Sequence, residues 1–354
     1  MDIGAILEEA VRRQASDVLL SAGAPPTYHV FGRLERHEPA EPLTPAQSQR
    51  LAYDVMNEEQ RKLFEQNWEL DLGFQYRELA RFRASVYRQR GTVAAVLRLI
   101  PLRIPRYPEI GISEQLMVRL LGIPNGLVLV TGPTGAGKST TVASYLHYLN
   151  TEHGVPRHII TIEDPIEFLL PSQGCVIDQR ELGIDTKNYV IGLRSALRQM
   201  PHVIFVGEMR DRATMEIALT AAETGNLVIS TLATQSASKT IHRIIDVFPV
   251  DHQAEIRARL ALGLRAVFSQ VLLRRADGRG RIAAREVLFA TSAVANLIRE
   301  GKIHLLNNVI ASGASEGMAL LDDSLLELYR QKLIGKADVI SRLEDPQKAK
   351  RILS

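Results

Sequence analysis

The chain of 354 residues contains one cysteine, Cys175, and one tryptophan. A single thiol can form neither a disulfide framework nor a thiolate zinc cluster, so disulfide-stabilised secreted modules and zinc fingers are excluded. No apolar run approaches the ~18 residues that a transmembrane helix needs, and the start Met1-Asp2-Ile3 lacks the basic and apolar regions of a signal peptide. These absences predict a cytoplasmic protein without zinc.

A strong charge bias is also absent. The 43 lysines and arginines nearly balance the 40 aspartates and glutamates, and the formal net charge is +3. Basic residues are mostly interleaved with acidic ones, as on a solvated protein surface, so we expect no nucleic-acid partner. A length of 354 residues predicts two or three domains.

The chain is organised around an apolar run at residues 127–130, which a glycine-rich turn and a helix-forming run follow. The turn fits the pattern G-x-x-x-x-G-K-[ST] of a phosphate-binding loop. Glycines let backbone N–H groups approach phosphate oxygens, and the next helix presents its N-terminus to the same anion. Lys138 can reach the β- and γ-phosphates of ATP, and the Ser139 hydroxyl can bind Mg²⁺. The predicted nucleotide-binding residues are Gly132, Pro133, Thr134, Gly135, Ala136, Gly137, Lys138, Ser139 and Thr140.

Two acidic residues follow apolar runs that are typical of buried parallel strands. Because ligands of parallel sheets lie at the carboxyl ends of the strands, we expect Glu208 to face Mg²⁺ and the γ-phosphate. An aspartate commonly precedes such an acid, but here that position is Gly207. Glu163 is the first choice for the base that orients the attacking water. Two alternatives stay open: Glu208 as a surface acid, and Glu163 with Asp164 as caps of the turn at Pro165.

The predicted fold class is α/β, with a small α+β domain before an ATPase domain. Strand and helix signals alternate from residue 126 to about residue 250, which predicts a parallel sheet flanked by helices. Pro101, Pro105 and Pro108 indicate a linker before this region. The predicted divisions are residues 1–100 for the first domain, 101–113 for the linker, 114–290 for the ATPase domain and 291–354 for a helical C-terminal region.

Several motifs together resemble the type II/IV secretion ATPase superfamily. Three of them lie at residues 132–141, 161–168 and 205–211. Further stretches, at residues 15–23, 193–198, 218–225, 238–249 and 296–302, are similar to its PilT-like branch, the type IV pilus retraction ATPases. The resemblance extends from about residue 3 to residue 335. The extension motors carry a tetra-cysteine zinc insert, which a chain with one cysteine cannot contain.

The resemblance implies a PAS-like N-terminal domain, a RecA-like P-loop ATPase domain and a homo-hexameric ring. It implies ATP and Mg²⁺ as cofactors, with Glu163, Glu208 and Lys138 as catalytic residues. Arginines of the first domain reach the phosphates in this family, and Arg81, Arg83 and Arg98 are the matching arginine-finger candidates. The implied partners are an inner-membrane pilus platform protein and, as a second one, a related pilus motor ATPase. The ring is then peripheral at the inner face of the cytoplasmic membrane.

Three positions depart from the family pattern and motivate an alternative. Asn226 and Ala233 replace the two histidines of the family's His box, and Ala295 replaces an arginine of the tail motif. Alanine carries no proton, and asparagine can replace a hydrogen bond but not a charge. The alternative is therefore a nucleotide-binding accessory or regulatory ring subunit with weak or no ATPase activity. A DNA-packaging or conjugation ATPase fits the phosphate loop but not the tail motifs.

Overall fold

The computed structural model of the chain describes residues 2–30, 33–37, 41–100, 103–152, 154–278 and 280–343. Its residues form two compact units. The first unit is Met1–Arg103 with Pro165–Leu169, and the second is Ile104–Asp164 with Leu170–Ser354. Within the described ranges, no helix has the length and apolar character needed to cross a bilayer.

The first unit is an α+β structure built on a six-stranded antiparallel sheet in the order β3-β2-β1-β6-β5-β4. Its core includes the fully buried side chains of Ile6, Tyr28, Phe64, Phe82 and Leu97. The elements in chain order are α1 (Ile3–Arg12), β1 (Asp17–Leu20), β2 (Thr27–Val30), β3 (Arg33–Arg36), α2 (Pro45–Tyr53), α3 (Glu58–Asn67), β4 (Glu69–Tyr76), β5 (Ala80–Gln89) and β6 (Thr92–Ile100).

Local sequence signals account for the ends of these elements. Thr44 caps α2 and Asn57 caps α3, each in a reciprocal capping box with the glutamine three residues later. Arg90 and Gly91 join β5 to β6 with φ angles of 48° and 75°. Two consecutive positive φ angles match the right-handed twist of a two-residue hairpin, and a glycine adopts such an angle without strain.

The second unit contains a seven-stranded sheet in the order β13-β12-β7-β11-β10-β8-β9, parallel except for the antiparallel pair β12–β13. The elements are α4 (Glu114–Leu121), β7 (Gly126–Thr131), α5 (Lys138–Thr151), β8 (His158–Glu163), β9 (Val176–Glu181), α6 (Tyr189–Ala196), β10 (Val203–Val206), α7 (Arg212–Glu223), β11 (Leu227–Leu232), α8 (Ala237–Asp246), α9 (Gln253–Gly263), β12 (Leu264–Arg274), β13 (Arg281–Phe289), α10 (Ser292–Arg299), α11 (Leu306–Ser312), α12 (Leu321–Arg330) and α13 (Lys336–Ile340). Short 3-10 helices lie at Val250–His252, Ile303–Leu305 and Ala314–Glu316.

The central strands β7, β10 and β11 are buried at every residue. Strands covered on both faces are continuous apolar runs, which is why the sequence predicts them. In the register of the sheet, Val206 of β10 lies beside Ile162 of β8 and Ser230 of β11. Ser230 lies in turn beside Leu129 of β7. The carboxyl ends of these four strands therefore meet at one edge of the sheet.

The fold class predicted from the sequence, α/β with a small α+β domain first, is confirmed. The domain boundaries stay predictions. The linker positions 101 and 102 and residues 344–354 of the C-terminal region lie outside the described residues. The last helices, α12 and α13, pack on the β12–β13 hairpin through a buried cluster that includes Val271, Leu273, Leu325 and Val339.

Candidate active site

The glycine-rich turn connects the buried strand β7 to helix α5. Gly132 has a φ of 146°, and a Cβ atom at this position would lie 2.3 Å from the backbone oxygen of Gln270. Gly135 and Gly137 also have positive φ angles, of 78° and 83°. Only glycine adopts such angles freely, so the turn keeps its backbone close to β12 and leaves its interior open to an anion.

Helix α5 begins at Lys138, directly after Gly137, which supplies no side chain to cap the first turn. The N–H groups of this turn, with the positive end of the helix dipole, are free to bind phosphate oxygens. The Lys138 ammonium donates hydrogen bonds to the carbonyls of Gly132, at 2.9 Å, and Pro133, at 3.1 Å. These two bonds hold the ammonium charge beside the turn. Ser139, the next residue in the chain, is half-buried.

A buried glutamine of β12, which we did not predict as a site residue, supports this turn through two hydrogen bonds. Gln270 of β12 is 2% exposed. Its side-chain amide donates to the Ala136 carbonyl at 2.6 Å, and its amide oxygen accepts from the Thr141 hydroxyl at 2.9 Å. The sequence signal was present: a Ser-Gln pair inside an otherwise apolar strand must find buried hydrogen-bond partners.

Glu163 is the last residue of β8 and is buried. One of its carboxylate oxygens accepts hydrogen bonds from the Thr161 hydroxyl at 2.6 Å and from the Gln179 side-chain amide at 3.1 Å. Two hydrogen bonds to one oxygen fix the orientation of the carboxylate. Gln179 lies on β9, a strand that we did not predict because its sequence, VIDQRE, is largely polar.

Glu208 follows β10 after Gly207, and its side chain is 27% exposed. The Nε of Arg210 donates to one Glu208 oxygen at 2.8 Å, and the Nη2 of the same guanidinium lies 2.8 Å from that oxygen in an ion pair. This hydrogen bond raises the pKa of Arg210, and the negative charge of Glu208 adds to the effect. Among the residues that the structure describes, none donates to the other Glu208 oxygen, which can therefore bind a cation or a water molecule.

The predicted loop residues, Glu163 and Glu208 all lie at the same edge of the seven-stranded sheet, because β7, β8 and β10 run parallel. The donor set at this edge fits Mg²⁺, which prefers oxygen ligands and usually binds through one or two protein groups plus phosphates and waters. Ser139 and Glu208 are such groups. Across the described chain, no cluster of three or more His, Cys, Asp or Glu residues could hold a metal by itself.

The three arginine candidates belong to the first unit, where each has a partner. The Nε of Arg81 donates to the Ile166 carbonyl at 2.9 Å, in the 165–169 segment that groups with this unit. The Nη2 of Arg83 lies 3.5 Å from an Asp71 oxygen. The Nε of Arg98 donates to Asp17 at 2.9 Å. Their approach to a bound nucleotide stays a prediction.

The positions that depart from the family pattern are distributed over the second unit. Asn226 precedes β11 and donates to the Ala221 carbonyl at the end of α7, at 3.1 Å. Ala233 follows β11 at the edge that carries Glu208, and it is exposed. Ala295 is half-buried in α10. Of these three, only Ala233 lies at the edge of the sheet where the acids meet.

Comparisons with known proteins cover both units. The family model for the type II/IV secretion system protein matches residues 1–330. The chain is 45% identical over 347 residues to the type IV pilus retraction ATPase PilT of Pseudomonas aeruginosa, across 98% of this chain and 99% of that protein. It is 47% identical over 284 residues to a twitching motility protein of Neisseria gonorrhoeae, across 80% of this chain and 75% of the other. The crystal structure of the pilus retraction motor PilT with bound ADP matches with a TM-score of 0.90 and 43% identity, over 99% of both chains.

Proposed function

Because this chain belongs to the type II/IV secretion system protein family, we propose that it is an ATP-hydrolysing motor that drives type IV pilus retraction and twitching motility. The observation that carries the proposal is the convergence of a complete phosphate-binding loop with Glu163 and Glu208 at one sheet edge. The near full-length similarity to a pilus retraction ATPase supports the same conclusion.

The phosphate loop binds the nucleotide in this proposal. Backbone N–H groups of the turn and of the first turn of α5 surround the β-phosphate. The Lys138 ammonium exchanges its two carbonyl partners for β- and γ-phosphate oxygens. Mg²⁺, when bound, neutralises phosphate charge, and Ser139 and Glu208 are the residues that would hold it.

Glu163 orients the attacking water. Phosphoryl transfer asks a protein chiefly for positioning and charge stabilisation, so one fixed carboxylate near the γ-phosphate is sufficient. The Thr161 and Gln179 bonds to one oxygen of Glu163 hold the carboxylate in place. Arg210 does the same for Glu208 from the solvent side. The two acids therefore have different roles, one toward the water and one toward the metal.

Arg81, Arg83 and Arg98 are proposed to add positive charge at the transferred phosphate. A guanidinium in that position contributes roughly 10³-fold or more to the rate. The ion pair of Arg83, 3.5 Å to an exposed aspartate, is longer than that of Arg98, 2.9 Å to Asp17, so Arg83 is released at a lower cost than Arg98.

We further propose that the protein acts as a homo-hexamer on an inner-membrane pilus platform protein, at the cytoplasmic face of the membrane, with a related pilus motor ATPase as a second partner. Family membership supports this assembly. The absence of the two His-box histidines removes two proton-carrying groups, and we interpret Asn226 as a neutral hydrogen-bonding replacement.

Pilus retraction in live cells tests the proposal. A strain without the gene should keep its pili and lose twitching, and the wild-type gene should restore retraction of fluorescently labelled pili. Lys138→Ala should not restore it, whereas Lys62→Ala, an exposed lysine of the first unit, should. If Lys138→Ala restores retraction as the wild type does, the accessory-subunit alternative is correct and the motor proposal is wrong.

A further inference from the structure

The hydroxyl of Tyr189 lies beside the ends of β8 and β10, the strands that Glu163 and Glu208 end or follow. Tyr189 is the first residue of α6, behind the cap that Asn188 forms with the Ile191 N–H at 2.9 Å. A Cβ atom built on Gly207 would lie 2.9 Å from the Tyr189 hydroxyl oxygen and 3.4 Å from the Cα of Glu163. The hydroxyl therefore fills the space beside Gly207 where many P-loop ATPases carry the aspartate of the metal site.

The surroundings of this hydroxyl are acidic. Burial raises the pKa of Tyr189, the nearby Asp164, Glu163 and Glu208 carboxylates raise it further, and Arg210 lowers it. The phenol consequently keeps its proton at every physiological pH. Its hydroxyl makes no hydrogen bond with any residue of the described chain. A half-buried hydroxyl that can donate one hydrogen bond and accept others is thus left for a solvent molecule.

We propose that Tyr189 is a positioning residue for ATP hydrolysis, whose hydroxyl holds the water that Glu163 orients. The water donates one hydrogen bond to the Glu163 carboxylate and the other to the Tyr189 oxygen. No proton leaves the tyrosine. Two acceptors fix both hydrogens of the water, so that its lone pair is directed at the γ-phosphate. This inference rests on the proposed role of Glu163.

Tyr189→Phe keeps the ring and removes only the hydroxyl. We expect kcat for ATP to fall about tenfold, as for the loss of one hydrogen bond near 1.4 kcal/mol in the transition state. The KM for ATP and the Kd for ADP should stay within about twofold, because the loop that binds phosphate is intact. Tyr148→Phe on α5 is the matched control and should change none of these values. An unchanged kcat in Tyr189→Phe would overturn the inference.

A second variant tests the same hydroxyl without altering the tyrosine. In Gly207→Ala the new methyl group displaces the hydroxyl, so kcat should fall by a similar factor. In the Tyr189→Phe background, Gly207→Ala should lower kcat by a much smaller factor, because the hydroxyl that the methyl group displaces is already gone. Fully additive losses would contradict the inference. Glu163→Gln, measured in parallel, separates the two claims: if it also leaves kcat unchanged, the proposed role of Glu163 fails as well.

Discussion

Gln270→Leu tests whether the phosphate loop depends on its support from β12. The substitution keeps the volume and removes both hydrogen bonds, to the Ala136 carbonyl at 2.6 Å and from the Thr141 hydroxyl at 2.9 Å. Two buried hydrogen bonds at about 1 kcal/mol each amount to about 2 kcal/mol. If the loop must be held in this shape to bind phosphate, that loss weakens nucleotide binding roughly 30-fold.

The assay is the Kd for a fluorescent ADP analogue, with thermal unfolding measured on the same samples. Gln331→Leu is the matched control, because Gln331 is exposed after the end of α12 and its side-chain amide donates to the Glu327 carboxylate on the same helix. The control should bind ADP as the wild type does. An ADP affinity of Gln270→Leu within twofold of the wild type, in a folded protein, would refute the account of the loop.

Gly132→Ala should abolish nucleotide binding and lower the melting temperature, because its Cβ atom would lie 2.3 Å from the backbone oxygen of Gln270. Gly135→Ala has open space around the new atom and should cost only about 1–2 kcal/mol of strain at its φ of 78°; equal effects of the two substitutions on melting would contradict this. Burial raises the pKa of Tyr28 to about 12. Between about pH 10 and pH 12 the tyrosine is ionised in the unfolded chain but still protonated in the folded one. The free energy of unfolding of the first unit should therefore fall as the pH rises through this range. Urea unfolding followed by the fluorescence of Trp68 measures this slope, and Tyr28→Phe should flatten it; an identical slope in the variant would exclude Tyr28 as the cause.

The parts of the fold that depend on local pattern could be predicted from the sequence. The phosphate loop, the buried strands β7, β10 and β11, and both capping boxes each have a signature within a few residues. The alternation of strands and helices then placed Glu163 and Glu208 at strand ends, since parallel strands share one carboxyl edge.

The parts that depend on distant contacts could not be predicted. Strand β9 has a polar sequence and is formed because it pairs with β8 at the edge of the sheet. The Tyr189 hydroxyl lies beside Gly207 because α6 packs near β8 and β10. The 165–169 segment groups with the first unit although it follows β8 in the chain. One contact behind this grouping is the hydrogen bond from Arg81 to the Ile166 carbonyl, 85 residues later in the chain.

Steady-state ATP hydrolysis by the purified protein and its two acid variants tests the central claim most directly. The wild type should turn over ATP at roughly 0.1–10 s⁻¹, in the range of slow to typical enzymes, and Glu163→Gln and Glu208→Gln should each lose at least about tenfold. Glu216→Gln, an exposed acid of α7, is the control and should hydrolyse ATP at the wild-type rate. A wild type that binds ATP but hydrolyses it no faster than its own Glu163 and Glu208 variants would contradict the account.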